Sequence, residues 1–109
     1  MSYLFVALSY LIGSINFAYL VAKYKKLDIS SSGSGNPGTS NVMRTIGKKY
    51  AAIVLIGDVF KGFIPIFLFD ENLLLCGFAA VIGHIYPIFY KFKGGKGVAT
   101  YIGVYIACL

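Results

Sequence analysis

Charged residues are scarce in this sequence, at 13% of 109 positions where soluble domains usually carry about 25%. Acidic side chains are the scarcest, four Asp and Glu against ten Lys and Arg. So few charges cannot clothe a soluble globular enzyme, and a hydrophobic content of 58% excludes a disordered tail. Cysteine is almost absent, and Cys76 and Cys108 both lie in apolar runs without C-x-x-C spacing. This excludes a disulfide scaffold and reads as two small hydrophobes. With one histidine in the chain, no cluster supplies the three or four ligands of a zinc site, so no metal or cofactor is expected.

Long uncharged runs are what the sequence does have. Met1–Ala22 has 22 residues and Asn72–Tyr90 has 19, while Tyr50–Phe69 is apolar except for Asp58 and Lys61. A bilayer core needs about 20 such residues in a helix. Nine of the ten basic residues fall on alternate connections: Lys23, Lys25, Lys26, Arg44, Lys48 and Lys49 on the first, Lys91, Lys93 and Lys96 on the third. That is the positive-inside pattern, so the +6 net charge reflects topology and not a nucleic-acid surface. The expected fold is an all-α polytopic transmembrane protein with its N-terminus outside. It has three full spans and a truncated fourth beginning at Gly97, because the last 13 residues are too few to cross. The absence of basic residues before the first run, and three Lys after it, favour a retained span over a cleaved signal peptide.

Within that frame, Gly13, Ser14 and Asn16 mark a packing face of the first span. SSSGSGNPGTSN could be a flexible linker, but NVMRTIGKKY follows it. Val42, Met43, Ile46 and Tyr50 can share one face of a short helix there, with Ser40 or Asn41 as N-cap. Asp58 and Lys61 are neighbours at i, i+3, either a self-neutralising pair or a group lining a cleft. Asp70–Asn72 is a short external turn.

Two glycine-rich clusters lie on the expected cytoplasmic side. The first is Gly33-Ser34-Gly35-Asn36-Pro37-Gly38-Thr39-Ser40-Asn41, with Arg44 behind it. Its glycines let backbone amides converge on an anion, and the following helix aims its N-terminus at the same place. Arg44 is expected in the first turn of that helix, where it opposes the helix dipole unless an anion is bound. The second cluster is Gly83-His84-Ile85-Tyr86-Pro87, followed by Lys93-Gly94-Gly95-Lys96-Gly97. Neither cluster is a Walker A loop: Thr39 stands where that pattern requires Lys, and Val98 follows Gly97.

Together, GSGNPGTSNVMR and GHIYPIFYKFKGGKGVAT resemble the first and second motifs of bacterial acyl-phosphate:glycerol-3-phosphate acyltransferases. The segment GDVFKG resembles part of that family's second span. The likeness covers essentially the whole chain, with Thr39-Ser40 where Ala-Thr is common. It implies a multi-pass protein of the bacterial inner membrane with cytoplasmic active-site loops. Such a protein moves an acyl group from acyl phosphate to the sn-1 hydroxyl of glycerol 3-phosphate, releasing lysophosphatidic acid and phosphate. The family runs to about twice this length and carries a third motif. Residues 1–109 are therefore expected to form one membrane domain, incomplete at its C-terminus, that associates with further helices.

The resemblance implies that Ser34, Arg44, Lys96 and His84 carry the chemistry. Gly33, Gly35, Asn36, Gly38, Asn41, Lys93, Gly94, Gly95 and Gly97 would hold substrate phosphate. Ser34, Asp58 and His84 are also the residue types of a hydrolytic triad, but their spacing does not support that geometry. Seven residues before Lys91, His84 would lie about 10 Å down a continuous helix, as a structural hydrogen-bonder beside Pro87 or as a base. Two other classes fit the same residues: a membrane protein binding anions or lipid head groups without catalysis, and a transporter fragment with intramembrane charges.

Overall fold

The computed structural model describes residues 3–69 and 72–109, and among them every regular element is helical. Three stretches are long and apolar enough to cross a membrane: Tyr3–Tyr24, Lys48–Phe69 and Leu73–Tyr90. Val98–Cys108 is a shorter apolar helix. Asp70 and Glu71, which carry most of the expected external turn, lie outside the described residues.

The first span is not one helix. Helix α1 (Tyr3–Ser14) stops and α2 (Phe17–Tyr24) starts afresh, because Asn16 turns extended (φ −108°, ψ 109°) and its side chain caps the new helix at the Tyr19 amide. Asparagine competes for backbone hydrogen bonds in just this way. After α2 the chain forms a 3₁₀ turn, Ile29–Ser31, capped by Asp28. The Ser30 amide and hydroxyl both donate to that exposed carboxylate, holding it below the ordinary carboxylate range. Helix α3 (Thr39–Thr45) follows, then α4 (Lys48–Phe69), which runs the length of the bundle with Pro65 inside it. Helix α5 (Leu73–Ile85) returns and α6 (Val98–Cys108) leads away.

The expected N-cap of α3 is not observed. Gly38 occupies that position with no side-chain bond, and Asn41 bonds elsewhere. Nor is one continuous apolar face formed over Val42–Tyr50, because α3 ends at Thr45 and Met43 is half exposed. Arg44 lies in the last turn, not the first, so it complements the helix dipole and the expected conflict disappears.

Small residues close the helix crossings. A Cβ on Gly13 or Gly83 would strike the backbone of Ala80 or Tyr10 between α1 and α5, and Gly62 and Gly103 do the same between α4 and α6. Large apolar side chains point outward instead, with Leu74 85% and Phe67 69% exposed. Hydrocarbon solvates such side chains as well as protein does, so helices in lipid associate through close backbone approach.

Candidate active site

Helix α4 carries two charged groups into the bundle. Asp58 and Lys61 are 2% and 3% exposed, and Lys61 Nζ lies 3.1 Å from Asp58 Oδ1. The same ammonium donates at 2.8 Å to the Ile15 carbonyl, freed by the break between α1 and α2. A buried ion pair needs such extra bonds to offset its desolvation. The pair is thus both readings at once: self-neutralising, and with Asp58 on the wall of a cleft.

That cleft has a volume of about 680 Å³ and lies where the two glycine clusters meet. Ser34, Asn36, Gly38, Asn41 and Arg44 line it from the first cluster, and His84, Lys96 and Gly97 from the second. Leu55 of α4 with Val98 and Ile102 of α6 supply an apolar wall. One side of the cleft is therefore cationic and rich in amides and hydroxyls, the other hydrocarbon.

The first loop is knitted by Asn41, itself 2% exposed. Its Oδ1 accepts from the Ser34 amide at 3.0 Å and its Nδ2 donates to the Ser32 carbonyl at 2.9 Å. Gly33, at φ +54°, packs so closely on that carboxamide that a side chain there would displace it. Gly33 and Gly35 shape the loop but do not line the cleft.

The second loop is held from outside. Pro87 disfavours helix at Tyr86, so α5 ends at Ile85 and leaves carbonyls free. The chain turns back through Lys91 and Phe92, both at positive φ, and the amides of Gly94 and Gly95 donate to Ile85 (3.0 Å) and His84 (3.2 Å). Gly94 is the tightest position, since a Cβ there would meet the His84 carbonyl and come within 2.6 Å of Pro87 Cδ.

His84 is consequently not stranded far below the loop. The helix unwinds just above it, the loop folds down over it, and a Cβ on Gly95 would come within 2.6 Å of its Nε2. His84 Nδ1 faces Asp58 Oδ1 at 3.9 Å, and among the described residues it makes no hydrogen bond. Lys93 is placed differently from expectation. Its side chain is exposed and does not line the cleft, while its carbonyl accepts from the Tyr19 hydroxyl at 2.7 Å. Of the apolar wall only Val98 lies in a sequence motif, and Ser14 and Asn16 at the helix break stood out in the sequence as polar residues on a packing face, not as a break.

The glycerol-3-phosphate acyltransferase family model matches residues 3–109. A glycerol-3-phosphate acyltransferase from Aquifex aeolicus is 47% identical over 94% of the chain, and one from Endomicrobium trichonymphae is 49% identical over 97%. The chain spans 57% of the length of each of these relatives. Among solved structures it matches PlsY, an integral membrane glycerol 3-phosphate acyltransferase, in its glycerol 3-phosphate form. The TM-score is 0.89 and the identity 46%, over 95% of this chain and 56% of that one. The lysophosphatidic acid form of PlsY matches with a TM-score of 0.86. A helical membrane bundle whose two glycine loops close one cleft thus belongs, on sequence and fold together, to the glycerol-3-phosphate acyltransferase family.

Proposed function

We propose that the cleft is the site of acyl transfer from acyl phosphate to the sn-1 hydroxyl of glycerol 3-phosphate. One observation carries the reading: a single cleft joins Arg44, Lys96 and the polar side chains of Ser34, Asn36 and Asn41 to an apolar wall of Leu55, Val98 and Ile102. Both substrates bring phosphate to the first set, and the donor also brings a fatty chain to the second. Solved forms of the related PlsY, with glycerol 3-phosphate and with lysophosphatidic acid, support this assignment.

In this scheme Lys96 and Gly97 take the phosphate of glycerol 3-phosphate. Gly94 and Gly95 fix their backbone. Ser34, Asn36 and Arg44 take the acyl phosphate and steady the negative charge that develops on its carbonyl oxygen. The sn-1 oxygen attacks the acyl carbon, the acyl–phosphate C–O bond breaks, and phosphate departs with the hydroxyl proton or passes it to water. Acyl phosphate is already activated, so orientation and charge stabilisation supply most of the acceleration. His84 borders the reacting groups, with its Nδ1 3.9 Å from Asp58 Oδ1. The basic loops support a cytoplasmic cleft in a bacterial inner membrane. The resemblance supports a segment with the third motif packing beside this bundle.

The test is phosphate release from a long-chain acyl phosphate, using the reading frame that encodes this chain, in lipid. Release should require glycerol 3-phosphate, and Lys96→Ala should raise that requirement or abolish turnover. Substrate binding without any release would instead identify a non-catalytic anion or lipid binder.

A further inference from the structure

The break between α1 and α2 touches both loops of the cleft. Asn16, 1% exposed, directs its Nδ2 to the Pro37 carbonyl at 3.4 Å, while its Oδ1 accepts from the Tyr19 amide at 3.0 Å. Pro37 sits between Asn36 and Gly38, both on the cleft wall. Three residues after Asn16, the Tyr19 hydroxyl donates to the Lys93 carbonyl at 2.7 Å, and Lys93 is three residues before Lys96. The first turn of one helix thus reaches a different loop from each of two side chains.

From this arrangement we infer that Asn16 and Tyr19 are positioning residues, Asn16 for the donor loop at Pro37 and Tyr19 for the acceptor loop at Lys93. The inference builds on the acyl-transfer reading of the cleft. The Tyr19 bond is directed and not incidental. Its ring stacks on Tyr90 with centroids 4.4 Å apart and planes 12° apart, which aims the hydroxyl along the turn. The Lys93 amide donates back to the Tyr90 carbonyl at 3.1 Å, so Tyr19 grips both ends of that turn. Between those ends lie Lys91 (φ 56°) and Phe92 (φ 61°), a conformation that side chains tolerate only when neighbours over-determine it. The helix start is itself fixed, because Lys61 binds the Ile15 carbonyl just before it.

Two conservative variants separate this role from a merely structural one. Tyr19→Phe keeps the ring stack and loses the hydroxyl. Asn16→Ser keeps a good N-cap acceptor and loses the reach to Pro37. Losing one such hydrogen bond should raise the relevant KM about two- to tenfold. Tyr19→Phe should move the KM for glycerol 3-phosphate and leave that for acyl phosphate; Asn16→Ser should do the reverse. Amide hydrogen exchange should quicken at Gly94–Lys96 in the first variant and at Asn36 and Gly38 in the second. A structural role alone would lower maximal rate and thermal midpoint without moving either KM. That result, or equal shifts of both KM values in both variants, would overturn the inference. If the unsubstituted protein releases no phosphate, the acyl-transfer reading fails by itself. Hydrogen exchange then decides: unchanged exchange in both loops would overturn the positioning role.

Discussion

The two loops that build the cleft share a support from the start of α2, Asn16 for one and Tyr19 for the other, but differ in what else braces them. The first carries its own brace: Asn41, inside the same motif, takes the Ser34 amide and the Ser32 carbonyl. Among the described residues, the second has no such side chain. It leans on the carbonyls left free at the end of α5 and on a tyrosine from the other end of the sequence. A loop with a brace of its own keeps some order when an outside support is lost, whereas a loop held only from outside fails whenever its supports move. Glycine also means different things in them. In the first, Gly33 adopts a left-handed turn, whereas Gly94 in the second admits a close backbone approach.

Erasing the contrast requires a change beneath both loops, and it should have the largest effect. Lys61→Met leaves Asp58 as an uncompensated buried charge and frees the Ile15 carbonyl, costing about 3–5 kcal/mol. Thermal unfolding in detergent should show that loss, with hydrogen exchange rising in both loops. The double variant Asp58→Asn/Lys61→Met should recover most of the stability. A double variant as unstable as the single one would mean that the ion pair matters less than the packing of Lys61.

The next change acts on the second loop alone. Gly94→Ala places a methyl group on the His84 carbonyl and against Pro87, so the loop must lift away from α5. Displacing Lys96 by about 1 Å can lower turnover about a hundredfold. Exchange at Asn36 and Gly38 should stay unchanged, and equal loosening of the first loop would show that the two are not independently braced.

Asn41→Ala is the counterpart on the first loop and should cost less. The Ser34 amide and Ser32 carbonyl lose partners but stay partly open to water, so the loss is about 1–2 kcal/mol in total. Asn41→Asp keeps the acceptor for Ser34 and should fall between alanine and the unsubstituted protein. An aspartate as damaging as alanine would make the Nδ2 bond to Ser32 the one that matters.

How much of this was legible in the sequence follows from the range of each interaction. The three membrane-length stretches are set by local hydropathy, and the glycine motifs announce both loops. Asn16 stands out as a polar residue in an apolar run, yet nothing local says that it ends α1 and reaches Pro37, 21 residues away. Arg44 is placed a turn too early because α3 starts at Thr39, and Asn41, the natural N-cap, is engaged by Ser34 and Ser32. His84 looks remote when α5 is drawn straight through Pro87. Once the helix stops at Ile85, the chain doubles back and covers it. Each miss comes from a polar group, on the backbone or on an asparagine side chain, claimed by a partner outside its own helix, which periodicity does not encode.

The smallest expected effect tests whether the loops matter at all, as opposed to the general basicity of that end of the bundle. Lys25 is as cationic as Lys96 and lies on the same connection as the first loop, but it does not line the cleft. Its ammonium lies over the Tyr50 ring, 5.0 Å from the centroid, a contact worth about 0.5–1 kcal/mol at an exposed site. Lys25→Ala should therefore cost a little stability and leave the glycerol 3-phosphate KM within about twofold, less than one ordinary hydrogen bond. Raising the ionic strength should weaken any steering by Lys25 before it weakens direct phosphate contacts in the cleft, because exposed charges are screened over about 10 Å at 0.1 M salt. Comparing Lys25→Ala with Lys96→Ala at two salt concentrations measures both effects in one experiment. If the two variants raise KM alike, and salt erases the difference from the unsubstituted protein in both, phosphate is drawn to a diffuse basic surface. The distinction between an inwardly and an outwardly braced loop would then have no bearing on binding.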